Sequence, residues 1–239
     1  MNRETDVSRR ALIFGFPSLF HKPYQELCGV RFRVMRHAHS PRRFIVIHGD
    51  EDTARDVLTA YMSGHDGVAY IATGKTRNVQ IEGVTIDPNR MFSGAGAEKS
   101  IAALNPGVAP EKAAAALHFF DKRREKLLDK LLPQGGSRLF ALHNNRNYSV
   151  QDEIAASDQT SIKQSDTPRN FFLCTSPADY EILKQSPFNV VLQTKPEPDD
   201  GSLSRLAARR GFRYINLECA IGDYEGQLQR VRWLEERLP

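Results

Sequence analysis

Short apolar runs alternate along the chain with segments of helical periodicity, a pattern that predicts a sheet interleaved with helices. Residues 29–36 alternate apolar and polar, with Val30, Phe32 and Val34 on one side, as a half-buried strand does. Residues 43–48 form a β-branched run closing on His48, which predicts a strand buried on both faces. Ala54, Val57, Leu58 and Tyr61 then recur at helical spacing over residues 51–63. Gly67 to Thr73 reads as a second buried strand, and Val79 to Ile86 as a hairpin turning at Glu82-Gly83. Pro110 suits the first turn of a helix. The helix it opens should run to about Leu132, where Pro133 and the Gly135-Gly136 pair end it. Its stripe of Ala114, Leu117, Phe120, Leu127, Leu128 and Leu131 should face the core.

Arg138 to Leu142 predicts a strand ending at His143. The chain is then polar from Asn144 to Arg169, and a loop of that length in a compact domain is usually functional or disordered. Beyond it the pattern predicts strands at Phe171–Cys174, Val190–Thr194 and Arg213–Cys219. Helices are expected at Pro177–Lys184, Ser202–Arg210 and Glu225–Arg237. Strands separated by helices indicate an α/β fold with a mixed, mostly parallel sheet covered by helices on both faces. One domain is expected over residues 1–239, with residues 1–25 as an N-terminal extension and 144–169 as an active-site loop. Ligands of such sheets bind at the carboxyl ends of the strands.

Composition narrows the class. With 40% hydrophobic and 26% charged residues the chain is ordinary globular protein. Its three cysteines (Cys28, Cys174 and Cys219) are widely spaced, which argues against a disulfide framework or a cysteine-only zinc site. No apolar run approaches the ~20 residues of a membrane span. The first twenty residues lack the long apolar core and cleavage site of a secretory signal, so a cytoplasmic protein is expected, or a periplasmic or secreted one whose signal has been removed. A net charge of +4 slightly favours anionic ligands. The basic clusters at Arg31, Arg33, Arg36, Arg42 and Arg43, and at Lys122 to Lys126, read more simply as solvated faces than as a nucleic-acid surface. The oligomeric state cannot be read from the sequence.

The chemistry sits at strand ends. In His48-Gly49-Asp50-Glu51 an imidazole closes a strand and a carboxylate opens the next helix. Positions i and i+3 across such a turn can converge, and Gly49 allows the backbone to bend tightly. His143 closes another strand in the same way. Two histidines and a glutamate are the ligand types of a catalytic zinc whose fourth position is open. Read alone, His48-x-x-Glu51 is better explained as a surface histidine followed by a carboxylate placed to favour the helix dipole, and His143 alone still more so. Asn89 and Arg90 lie between the hairpin and an expected glycine-rich turn, and a guanidinium with an amide beside it can grip a carboxylate. Arg77 adds a cation at another strand end, and Glu218 is a carboxylate inside an otherwise apolar strand.

Taken in order, HGDE at 48–51, DPNRMF at 87–92 and the strand ending LHNN at 142–145 resemble the zinc carboxypeptidase superfamily. That superfamily includes carboxypeptidase A-like peptidases and the succinylglutamate desuccinylase/aspartoacylase deacylases, and HGDE is closest to the HGNE form of the deacylase branch. The resemblance covers about residues 43–225. It implies one zinc ion held by His48, Glu51 and His143, with Glu218 as general base. Glu225 competes for the base role but looks like the first turn of the last helix. The resemblance further implies Arg77 as oxyanion donor, with Lys75 the competing choice, and Asn89 and Arg90 as carboxylate ligands. The polar segment opening with Asn144, Asn145 and Tyr148 would line or cover the pocket, although Tyr148 could equally anchor the loop. The activity expected first is that of a metallocarboxypeptidase acting on a peptide with a free carboxylate beside the scissile amide, with deacylation of an N-acyl amino acid as the alternative. A non-catalytic peptide-binding domain of the same fold is the remaining alternative. The ligand spacing is more compact than in the digestive carboxypeptidases, and no counterpart of their late active-site tyrosine is found.

Overall fold

The computed structural model describes residues 23–133 and 135–238, so the expected N-terminal extension lies outside the described residues up to residue 22. The chain opens with strands β1 (Tyr24–Leu27), β2 (Val30–His37) and β3 (Arg43–Val46). Helix α1 (Asp52–Met62), strand β4 (Gly67–Ala72) and the hairpin β5 (Val79–Ile81) and β6 (Val84–Ile86) follow. A turn of 3-10 helix at Pro88–Arg90 then leads into helices α2 (Gly94–Leu104) and α3 (Pro110–Leu131) and strand β7 (Arg138–Asn145). Next come helix α4 (Val150–Ile154), strands β8 (Gln159–Ser161) and β9 (Phe171–Cys174), helix α5 (Pro177–Leu183) and strand β10 (Asn189–Leu192). Helix α6 (Leu203–Arg210), strand β11 (Arg213–Ala220) and helix α7 (Tyr224–Arg237) complete the described chain.

Nine strands form one mixed sheet in the order β1-β2-β4-β3-β7-β11-β9-β10-β8. Its centre, β4-β3-β7-β11, is parallel throughout. The flanks turn antiparallel at β2 and at β9, leaving six of the nine strands running one way. Buried side chains fall into two clusters, one on each face of the sheet. One gathers Phe32, Ile45, Phe120, Leu128 and Tyr214; the other gathers Phe44, Leu58, Phe140, Leu217 and Val231. This is the expected α/β architecture, with the central strands bringing their carboxyl ends to one edge. Among the described residues no helix is long and apolar enough to cross a membrane.

Three expectations change in the structure. The glycine-rich stretch after the Asn89-Arg90 pair is helix α2 rather than a turn. Gly96 packs so closely on the loop before α6 that an added Cβ would stand 2.2 Å from the Gly201 Cα. The polar segment 144–169 is not one loop: Asn144 and Asn145 continue β7, and the rest contains α4 and β8. On α3 the expected stripe holds at Phe120, Leu127, Leu128 and Leu131, with Leu117 packed against the core, but at its start Ala116 is buried and Ala114 is exposed.

Candidate metal centre and active-site cavity

His48 and Glu51 lie between β3 and α1, and His143 lies in β7, the strand beside β3. All three side chains are buried. His48 Nδ1 is 2.8 Å from Glu51 Oε1, and His143 Nδ1 is 3.1 Å from the same oxygen. One ligand atom from each residue lies within 4.8 Å of the others. The second carboxylate oxygen, Glu51 Oε2, is buried without a hydrogen-bond partner. Two imidazole nitrogens and a carboxylate converging on one point, with an orphaned acceptor beside them, fit a divalent metal of zinc type.

A residue that the sequence reading did not single out completes this arrangement. Asp87 Oδ1 lies 3.0 Å from His48 Nε2, the ring nitrogen facing away from Glu51, and also accepts the backbone N–H of Asn89. A carboxylate on the outer nitrogen fixes the ring and its tautomer, as around metal-binding histidines generally. Its sequence signal was the first residue of the DPNR run, but only the fold brings it to His48. Burial opposes a charge on His48, but the Glu51 and Asp87 carboxylates outweigh it and raise its pKa from 6.5 to about 9. Burial likewise works against the ionised Glu51, and His143 and His48 overcome it, lowering its pKa from 4.5 to about 2. Asp87, despite burial, is held far below the carboxylate range by its bond to His48 and by Arg77. The pocket is built to hold positive charge.

Gly49 serves a purpose other than a tight bend. Its backbone lies against the β4–β5 connection, where an added Cβ would stand 2.6 Å from the Gly74 carbonyl carbon. Gly49 N–H donates to Thr76 O at 3.2 Å, and Arg55 bridges the two segments through the Gly49 and Gly74 carbonyls. This close approach brings Arg77 to the centre, 3.7 Å from Glu51 Oε1 and 3.4 Å from Asp87 Oδ2.

A cavity of about 430 Å³ opens on this edge, lined by Glu51, His143, Arg77, Asn89, Arg90 and Glu218. Glu218 stands on β11 in register with His143 on β7. Its two oxygens are held by different amides: Asn145 Nδ2 donates to Oε2 at 3.0 Å and Asn216 Nδ2 to Oε1 at 3.2 Å. Asn145, expected only to line the pocket, reaches the carboxylate through the pairing of β7 with β11, whereas Asn216, not singled out from the sequence, stands two residues before Glu218 on the same face of β11. Glu225 lies in the first turn of α7, and the cavity lining includes neither it nor Lys75.

The remaining expected residues also reach this cavity, with differing freedom. Arg90 is partly exposed and only loosely paired, 3.5 Å from Asp200. Asn89 accepts the Leu203 N–H through its side-chain oxygen. Asn144 is committed at both ends of its amide: its oxygen accepts Ala54 N–H at 2.7 Å, and its nitrogen donates to Gln227 at 3.1 Å. Tyr148 donates its hydroxyl to Glu153, packs on Phe171, and has its phenol pKa pushed far up by burial and by Glu153.

No known family description and no curated protein matches the sequence. Among solved structures the chain is similar to a succinylglutamate desuccinylase/aspartoacylase from Rhodobacter sphaeroides, with 14% identity and a TM-score of 0.42 over 87% of this chain. It is similar also to the ectoine utilization protein EutE (DoeB) from Ruegeria pomeroyi, with 14% identity and a TM-score of 0.46 over 87% of this chain. An N-formylglutamate amidohydrolase from Ralstonia eutropha JMP134 overlays 85% of this chain and 94% of its own length, at 16% identity and a TM-score of 0.41. This chain spans 59% and 60% of the first two proteins. At these identities and TM-scores the likeness assigns nothing to this chain, and the chemistry must be read from the residues themselves.

Proposed function

We propose that this chain is a zinc-dependent amide hydrolase of the carboxypeptidase-like kind, acting on a bond next to a free carboxylate. The observation that carries the reading is the convergence of His48, Glu51 and His143 within 4.8 Å on the cavity that also contains Glu218. His48, Glu51 and His143 would hold the metal, with Asp87 orienting His48. A zinc ion there would supply Lewis acidity toward the substrate carbonyl and a water made acidic enough to react near neutral pH.

The protein's own groups do the rest. Glu218 takes a proton from the attacking water and delivers it to the leaving nitrogen, a shuttle typically worth ~10²–10⁴-fold. Asn145 and Asn216 keep that carboxylate in one orientation by donating to separate oxygens. One water is consumed. Its oxygen joins the carbonyl carbon as the C–N bond breaks, and its protons end on the amine. Arg77 stands by the metal ligands as donor to the oxyanion, and Arg90 with Asn89 receives the substrate carboxylate. Asn144 acts as a strut between α1 and α7 rather than as a substrate contact, since its amide is already occupied. Tyr148 contributes a wall held by Glu153.

The test pairs two variants assayed with N-acyl amino acids and short peptides. Glu218→Gln should keep zinc and fold but lose at least about 100-fold in turnover. His143→Ala should lose both zinc and turnover. An active Glu218→Gln protein would remove that residue from the mechanism. Zinc binding without hydrolysis of any probe by the unaltered protein would favour a peptide-binding domain.

A further inference from the structure

The Arg77–Arg90 pair does not end the active-site cavity; it is a seam between two concavities. On its far side lies a groove of about 420 Å³, lined again by Arg77, Arg90 and Asp200 and continuing over Gly96, Lys99, Ser100, Ala103 and Leu104. Those five positions are i, i+3, i+4, i+7 and i+8 of helix α2, one face of a regular helix. From Gly96 to Leu104 the face is about 12 Å long, the reach of three or four extended residues. Its far end is apolar and open to solvent at Leu104, which is 38% exposed.

The charges along this path are unevenly satisfied. Asp87 is taken by His48, Arg77 and the Asn89 N–H, and Asp200 by the Ser202 N–H and Arg90. Among the described residues the Lys99 ammonium has only the Asp199 carbonyl, at 3.4 Å. Arg77, Arg90 and Lys99 thus form a row of loosely compensated cations running away from the metal centre. A site for a single terminal residue would need a cation at the seam and none beyond it.

Building on the hydrolase reading above, we infer that the substrate crosses the Arg77–Arg90 seam into the α2 groove. It carries an acidic segment of about three residues on the carboxylate side of the scissile amide, and the leaving product is a short acidic peptide rather than one amino acid. The bond chemistry is unchanged: one water is consumed, the C–N bond breaks, and the peptide departs as its amine. Arg90 and Lys99 receive successive carboxylates, and Leu104 and Ala103 receive the aliphatic part between them.

The experiment uses the zinc-loaded full chain and a series of N-acetyl peptides with one to four glutamates after the acyl group, with the cut bond identified by mass spectrometry. The inference expects kcat/KM to rise at least about tenfold from one residue to three or four, one charge-assisted contact being worth that much. Lys99→Glu and the groove-filling Ala103→Trp should abolish that gain, while the one-residue probe reports whether the catalytic centre is intact. Both positions are exposed on α2, so the two variants test the groove with little demand on folding. Cleavage independent of length, or a length gain untouched by both variants, overturns the inference and leaves the hydrolase standing. Failure of the unaltered protein to cleave any member overturns the hydrolase reading and the inference with it.

Discussion

Strands β7 and β11 run side by side, and each end of the pair meets a buried carboxylate. At the amino end, Arg138 and Arg213 stand in register and converge on Asp179 in the first turn of α5. Arg138 Nε donates to Oδ1 at 2.9 Å and Arg213 Nε to Oδ2 at 3.0 Å, so both oxygens of a fully buried carboxylate are occupied. At the carboxyl end, His143 and Glu218 stand in register beside Glu51, whose one oxygen is shared by two imidazoles while the other has no partner. The first carboxylate is closed and serves the fold. The second is open, and its partners are groups that can give up a proton to a metal. Guanidinium cannot do so at any ordinary pH, whereas imidazole can.

That contrast can be broken or sharpened by experiment. Asp179→Ala removes the shared acceptor from two permanent cations and should destabilise the fold by about 3–5 kcal/mol, read by chemical denaturation, with zinc stoichiometry of the folded fraction unchanged. Glu51→Gln should reverse the pattern. Zinc affinity should fall at least about 100-fold by competition with a chelator, and metal-free stability should fall by only about 1–2 kcal/mol, because His48 can shed its charge and the glutamine amide can still bond both rings. Equal stability losses for the two variants would erase the distinction between the two ends.

A smaller effect lies in the pH dependence of the metal-free protein. Because the His48 pKa rises from 6.5 to about 9 on folding, its contribution is complete below about 6.5 and is lost as pH climbs through 9. Glu51, lowered from 4.5 to about 2, contributes above about 4.5 and loses that contribution as pH falls through 2. Chelator-treated protein should therefore be most stable between those limits and lose of order 1–3 kcal/mol between pH 6.5 and 9, less so in His48→Gln. Zinc affinity should move oppositely, rising over that interval as protons cease to compete. Melting temperatures that do not change between pH 6.5 and 9 would contradict the assigned charge on His48.

Residues whose roles are set locally were legible in the sequence. His48 and His143 sit at or near the ends of apolar runs, and Glu218 interrupts one, so sequence order and strand polarity sufficed to bring them to one edge. The central strands were equally plain, because burial on both faces demands β-branched runs. What escaped was set by tertiary contact. Helix α2 begins with two glycines, which oppose helix formation, yet Gly96 is required by its approach to Gly201. Strand β8 is three polar residues on an outer strand, paired only with β10, and carries no apolar alternation to announce it. Its neighbour α4 did leave a signal, the Ser149-x-x-Asp152 capping box, within the polar stretch. Asp87 and Asn145 support the centre from segments that meet it only in the folded chain, while Asn216 left a local signal, a polar residue two positions before Glu218 on the same strand.

The most direct test of the metal centre is elemental analysis of the protein purified without added metal or an affinity tag, beside His48→Ala prepared in parallel. The account predicts close to one zinc per chain in the unaltered protein and none in the variant. Protein that arrives metal-free and takes up no zinc on titration would contradict it.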